Sequence, residues 1–317
     1  MAVPHDYAQE PLDAQAMIDT LAPLVDANGP LHWALLVDTV FDEGRQTRPA
    51  APDLVNCFAE AGGALADLAS IAPCLVPLET SNEGPRRLTE WVHHAGARPM
   101  LGVLASRIDP YALARHWAPL HLVHMRDGER LLLRWADTRT ASLLPQLLTR
   151  AQWQGLTAPL AHWFTFDRQG QPVRCAPQPG DAGPPVEAAP APWHFDDGQL
   201  QQCLDHAEAD ALHGAVRERL DELGAAVPQP GTLHRHTQAA LALARDHGAE
   251  RIADRVALAA AAGLTDGACL NAPRLTALLQ SRAWPPGHLF ETLLQEGCLS
   301  MARAASAVPP IPPKGFL

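Results

Sequence analysis

Arg134, Asp137 and Arg139 put two guanidinium groups and a carboxylate within one short run, and no other stretch of this chain is better equipped for chemistry. With His116 as proton carrier, Asp137 and Arg139 would form an acid–base cluster of the kind enzymes use. The same residues also suit an ion-pair knot that fixes a strand-to-helix turn, since structural ion pairs perturb charged groups as active sites do. The knot is the preferred reading. Fifteen histidines raise the question of a metal. Their spacing argues against one: His121 and His124 face opposite sides of a strand, and His234 and His236 diverge on a helix. His206, Asp210 and His213 share a helix face but have no further predictable ligand, so they read as a solvated polar face. His93 and His94 at a helix end are accounted for by the helix dipole. The sequence has no G-x-S-x-G elbow, no P-loop and no G-x-G-x-x-G fingerprint. No catalytic residue, cofactor site or metal site is therefore assigned.

These charged residues follow a readable series of elements. Trp33–Val40 is a nearly continuous apolar run, as expected of a strand buried on both faces. Ala72–Leu78 reads as a short strand whose prolines favour an edge, and Pro99–Ala105 reads as another buried strand. Asp109-Pro110 is a helix start, with Asp109 as cap and Pro110 at the first helical position; Ile108 and Leu113 fit a hydrophobic staple. Asp127-Gly128, between apolar runs, predicts a hairpin whose two turn residues both take positive φ. Ala141–Leu148 should be helical, and Leu160–Phe166 should be the last strand of the lobe. Upstream, Asp13–Val25 predicts a helix that Pro23 ends or bends, and Pro85–Ala95 predicts one closed by Gly96.

The ordered motifs resemble a known family. Ser106 ends a strand, Arg115-His116 ends the capped helix, and the hairpin leads into Arg134-Trp135-x-Asp137-x-Arg139 and a Leu-rich helix. This pattern resembles the effector-adaptor chaperones of bacterial type VI secretion, the Tap or TEC family. The run HWALLVDTV ending in Asp38 is similar to the family's first strand, and HWFTFDRQG to its last. Thr138 stands where the family carries a proline. The resemblance covers roughly residues 30–170 and extends more loosely into the C-terminal third. It implies a cytoplasmic bacterial protein, not an enzyme, that binds a toxin effector and helps load it onto the VgrG spike protein. It also implies that Asp38, Ser106, His116, Arg134, Asp137 and Arg139 are fold determinants. The rival readings are an enzyme using His116, Asp137 and Arg139, and a structural subunit of the secretion machine.

Composition agrees with a binding protein of two lobes. The 317 residues carry 24 basic and 35 acidic side chains, a net charge of −11, which disfavours a nucleic-acid partner. No window has the uninterrupted apolar length of a membrane span, and the first residues have no secretory pattern. The six cysteines are scattered, as expected of reduced, buried thiols. The expected architecture is an α/β (α+β) N-terminal lobe with a mixed sheet over residues 1–175, a Pro-rich linker over 176–198, and an all-helical lobe over 199–317 with a mobile Pro-rich tail. In the helical lobe, Leu200, Leu204, Ala207 and Ala211 form one apolar stripe and Leu212, Val216, Leu220 and Leu223 a second, which predicts a helix sandwiched between neighbours.

Overall fold

A computed structural model describes residues 7–27, 30–42, 48–61, 63–79, 83–176 and 191–299. In chain order the elements begin with α1 (Ala14–Ala27), β1 (His32–Asp38), β2 (Val55–Asn56), α2 (Cys57–Ala61), β3 (Pro73–Leu78) and α3 (Glu83–Ala95). Next come β4 (Leu101–Ser106), α4 (Pro110–Trp117), β5 (Leu122–His124), β6 (Arg130–Leu132), α5 (Thr138–Leu147) and α6 (Arg150–Thr157). Then follow β7 (Leu160–Phe166), β8 (Pro172–Ala176), β9 (Trp193–His194) and α7 (Asp197–Glu222). The remaining helices are α8 (Pro230–Asp246), α9 (Ile252–Leu264), α10 (Pro273–Ser281) and α11 (Leu289–Gln295). The chain divides into two compact units: Gln9–His206, and Ala207–Leu317 together with Met1–Ala8. The division falls inside α7, whereas the expected linker over 176–198 centres on residues 177–190, which lie outside the described residues. At its ends, Ala176 closes β8, and Trp193–His194 form β9 beside β5. The Pro-rich tail also lies outside the described residues.

The first unit is the expected α/β lobe, and it holds a mixed sheet. Six strands in the order β2-β3-β1-β4-β7-β8 pair antiparallel throughout. A second sheet, β6-β5-β9, is mixed: β5 pairs antiparallel with β6 and parallel with β9. β1 and β4 lie at the centre of the large sheet and are buried along nearly their whole length, which explains their continuous apolar sequence. Alternate residues feed two cores: Ala34 and Leu36 pack with Trp117, Trp135 and Trp163, while Leu35 and Val37 pack with Trp91 and Met100.

Several expectations need correction. β3 is not the edge, because β2 pairs with it; but β2 covers only Cys74 and Leu75, leaving Pro73 and Pro77 outside that pairing. β7 is not the last strand, since β8 follows through a turn at Gly170. Pro23 lies inside α1, which continues to Ala27. In the β5–β6 hairpin only Gly128 takes positive φ (+88°), not both turn residues. Gly128 N donates to Met125 O (3.1 Å) and Met125 N to Glu129 O (2.8 Å), the three-residue loop in which a lone left-handed glycine closes the turn. Thr149 and Gln152 form an unanticipated capping box that starts α6.

The second unit is all helical among its described elements. α9 buries Ala257–Ala262 continuously, and a Cβ on the adjoining Gly263 would meet the Leu220 and Leu233 methyl groups at 3.1 and 3.2 Å, so these leucines from α7 and α8 pack directly on the α9 backbone. Glu208 accepts from Arg245 (2.8 Å) and Arg255, tying α7, α8 and α9 together. Buried Asp254 accepts from Gly287 N (2.9 Å), Leu289 N (3.0 Å) and Trp284 Nε1 (3.3 Å), which holds the α10–α11 loop. α7 is not sandwiched: Leu204 is 57% exposed, and Ala207 and Ala211 face solvent. Its buried stripe is Ala209, His213, Val216 and Leu220.

Two glycine turns give a paired prediction. A Cβ on Gly128 meets nothing, whereas one on Gly170 would lie 2.0 Å from Pro11 O. Gly128→Ala should cost about 1–2 kcal/mol, the penalty of the left-handed conformation alone. Gly170→Ala should cost clearly more, because the 10–13 segment that hydrogen-bonds to this turn must also move. Urea denaturation of both variants measures the difference; equal costs would refute it.

Candidate functional site: the charged knot at the end of β1

The six residues singled out by the sequence do not form one cluster. Asp38 ends β1 and is 0% exposed. Its backbone N donates to Met100 O (2.8 Å), which holds the carboxylate at the corner where β1 meets β4. Arg134 reaches it from beyond the hairpin: Nε donates to Asp38 Oδ2 (3.2 Å), and Nη2 donates to Asp38 Oδ1 and to Ile71 O (2.9 Å). Burial pushes the Asp38 pKa up to about 6, against the opposing pull of Arg134; Asp137 nearby adds to the rise.

Asp137 is therefore not held between two arginines. It pairs with Arg139, whose Nε and Nη2 donate to its carboxylate at 3.0 and 2.6 Å. Asp137 Oδ1 also accepts from Arg139 N (2.9 Å), the N-cap bond that starts α5 at Thr138, earlier than the expected Ala141. Thr138 N donates to Pro99 O (3.0 Å), so this turn is tied to the sheet at a position where a proline has no N–H to offer. The Arg139 guanidinium lies 5.5 Å from the centre of the Phe41 ring, and Arg139 O accepts from His206 Nε2 (2.9 Å). A neighbouring set extends the network. Asp42 accepts from His94 Nε2 (2.7 Å) and Arg98 Nη1 (2.9 Å), and Arg98 also donates to Phe41 O (2.6 Å). His94 is thus held by a carboxylate, not by the helix dipole alone. Sequence reasoning missed Asp42 and Arg98, which are 56 residues apart and lack any local signal.

His116 and Ser106 lie in other contacts. His116 Nε2 donates to Gly155 O (2.8 Å), joining α4 to α6, and burial lowers its pKa. Ser106 Oγ accepts from Ile108 N (3.1 Å) and donates to Pro159 O (3.3 Å), closing the turn into α4. Asp109 caps that helix by accepting from Ala112 N (2.9 Å), with Pro110 at its start, as its sequence predicts. Beneath the knot, Trp135 stacks on His121 (ring centroids 4.9 Å apart) and meets Trp117 edge-on at 4.6 Å. Burial, with Arg134 nearby, pushes the His121 pKa down to about 3. Among the described residues, no group of three or more His, Cys, Asp or Glu side chains is placed to hold a metal ion. His206, Asp210 and His213 are not a solvated face either: His213 is fully buried, and His206 is bonded to Arg139 O.

Residues 35–155 match the family model of a domain of unknown function, DUF4123. That domain is known as the effector-associated (Tec/Tap) domain of type VI secretion, so this part of the chain is similar to effector adaptors. The match contains Asp38, Ser106, His116, Arg134, Asp137 and Arg139, and it excludes the helical unit. Comparisons with curated proteins and with solved structures gave no match. No helix among the described residues is long and apolar enough to cross a membrane.

The geometry ranks two substitutions. Asp38→Ala leaves Arg134 without its carboxylate in a largely buried position, and should cost ~3–5 kcal/mol at pH 7.5. Asp137→Ala removes a cap and a less buried carboxylate (9% against 1% exposed), and Arg139 keeps its contact with the Phe41 ring, so ~1–2 kcal/mol is expected. Chemical denaturation tests the order; Asp137→Ala as the more damaging change would contradict it. A second prediction concerns acid. The His121 pKa is depressed on folding, so the unfolded chain takes up the proton first and stability falls as pH drops from about 6.5 towards 3. Asp38, with a raised pKa, acts oppositely: its contribution is fully present below 3.8 and is lost as pH rises through about 6. His121→Phe keeps the aromatic stack and should spare about 2–3 kcal/mol of the loss between roughly pH 6.5 and 4.5. Parallel stability–pH curves for the two proteins would rule out this role of His121.

Proposed function

We propose that the protein is a non-enzymatic adaptor of the bacterial cytoplasm that holds a type VI secretion effector and helps load it onto the VgrG spike protein. The match of residues 35–155 to the effector-associated domain carries this reading. The charged motif supports it: Asp38, Arg134, Asp137 and Arg139 pair among themselves, while His116 is engaged with α6. A knot of this kind stabilises a binding scaffold without needing a reacting molecule. An adaptor that covers an effector segment stabilises that effector by mass action and releases it when the complex is passed on.

Co-expression with the candidate effector encoded beside the gene, followed by affinity capture and size exclusion, tests this. A stable complex is expected, with the effector insoluble or degraded when made alone. Adding the spike protein should then give a ternary complex. Separate elution of a soluble effector would overturn the adaptor reading for that pair.

A further inference from the structure

The helical unit holds a groove that lies outside the matched domain. It runs between α8 and the turn Ala268–Asn271 and has a volume of about 620 Å³. Its lining is largely apolar, with Ala239, Ala242, Leu243 and Leu270. Asp266 and Asp246 lie along its rim.

The His236 wall is unusual. Asp266 and Gly267 both adopt left-handed backbone (φ +48° and +79°), and a Cβ on Gly267 would meet the His236 ring at 3.2 Å. This tight turn sets Asp266 Oδ1 3.5 Å from His236 Nε2, while the Asp266 side chain stays 90% exposed. His236 is only 8% exposed, and its buried Nδ1 has no hydrogen-bond partner. Burial lowers the His236 pKa, against the opposing pull of Asp266. Arg235, the cation on the rim, is turned along its own helix to Thr232 Oγ1 (3.4 Å).

The groove thus combines apolar side chains with two exposed carboxylates, Asp246 and Asp266. We propose that it binds an arginine side chain presented by a partner polypeptide, with the alkyl stem over Ala239 and Ala242 and the guanidinium donating to Asp266 and Asp246. Arginine fits better than lysine because its planar fork serves several fixed acceptors at once and its stem covers apolar surface. The groove's residues lie outside 35–155, so this inference is independent of the adaptor reading.

The test uses the full chain and fluorescence anisotropy of a labelled peptide, ALAARALA, beside the same peptide with citrulline for arginine. Two variants at exposed positions accompany it. Ala242→Arg fills the groove with a guanidinium of its own, and Asp266→Asn removes a charge while keeping a residue that tolerates left-handed backbone. The arginine peptide should bind about tenfold or more tighter than the citrulline peptide, and each variant should lose about tenfold with an unchanged melting temperature. Equal binding of the two peptides, or wild-type binding by both variants, would overturn the proposal. So would a concentration-dependent dimer that Ala242→Arg abolishes, because a second copy would then be the occupant.

Discussion

Asp38 is a carboxylate with no access to water at the end of a central strand, and the α/β unit is built to compensate it. An unpaired charge there would be neutralised or would destabilise the fold by several kcal/mol. Its partner, Arg134, comes from 96 residues further along the chain. For that guanidinium to span Asp38 and Ile71 O, the segment after β6 must lie across the end of β1. This places Trp135 in the core against His121 and Trp117, and it leaves Asp137 at the start of α5 as its cap. Hairpin, sheet corner and helix start are thus coupled through one ion pair. The Asp38 pKa of about 6 shows that burial still outweighs the pairing, so the pair specifies position more than it adds net stability.

Around this pair the charged groups mostly pair with one another, although Asp42 Oδ2, His121 Nε2 and Trp135 Nε1 are buried without a hydrogen-bond partner. Arg139 is shared between Asp137 and the Phe41 ring, and Arg98 and His94 meet on Asp42. Side chains satisfied in this way orient the backbone; they have few donors left to offer a ligand. The groove beside His236 differs in that its two carboxylates, Asp246 and Asp266, are exposed, and Asp266 and Gly267 hold left-handed backbone.

The helical unit obtains its cohesion differently. Alanines and Gly263 on α9 let neighbouring helices approach closely, so dispersion contacts replace large side chains. Two carboxylates then set the arrangement: Glu208 joins three helices, and Asp254 collects the free N–H groups of the loop before α11. Neither is visible as a motif, because each is a single acidic residue in an ordinary helical sequence.

The features legible in the sequence are local. The Asp109-Pro110 start of α4, the hairpin at Gly128, the buried runs of β1 and β4 and the change to helical periodicity in the C-terminal part all follow from contacts within a few residues, where capping, turn geometry and side-chain period act. The importance of Asp38, Arg134, Asp137 and Arg139 was legible too, but their partners were not. Arg134 and Arg139 both lie within three residues of Asp137 along the chain, and only the folded sheet, by bringing the end of β1 to Arg134, gave Arg134 to Asp38. Likewise the sequence offered two apolar stripes on α7, and tertiary packing buried Val216 and Leu220 of the second together with Ala209 and His213, leaving most of the first exposed. Pairing across 96 residues and the rotational setting of a helix against its neighbours depend on which surfaces are left to cover, and the tertiary structure alone decides that.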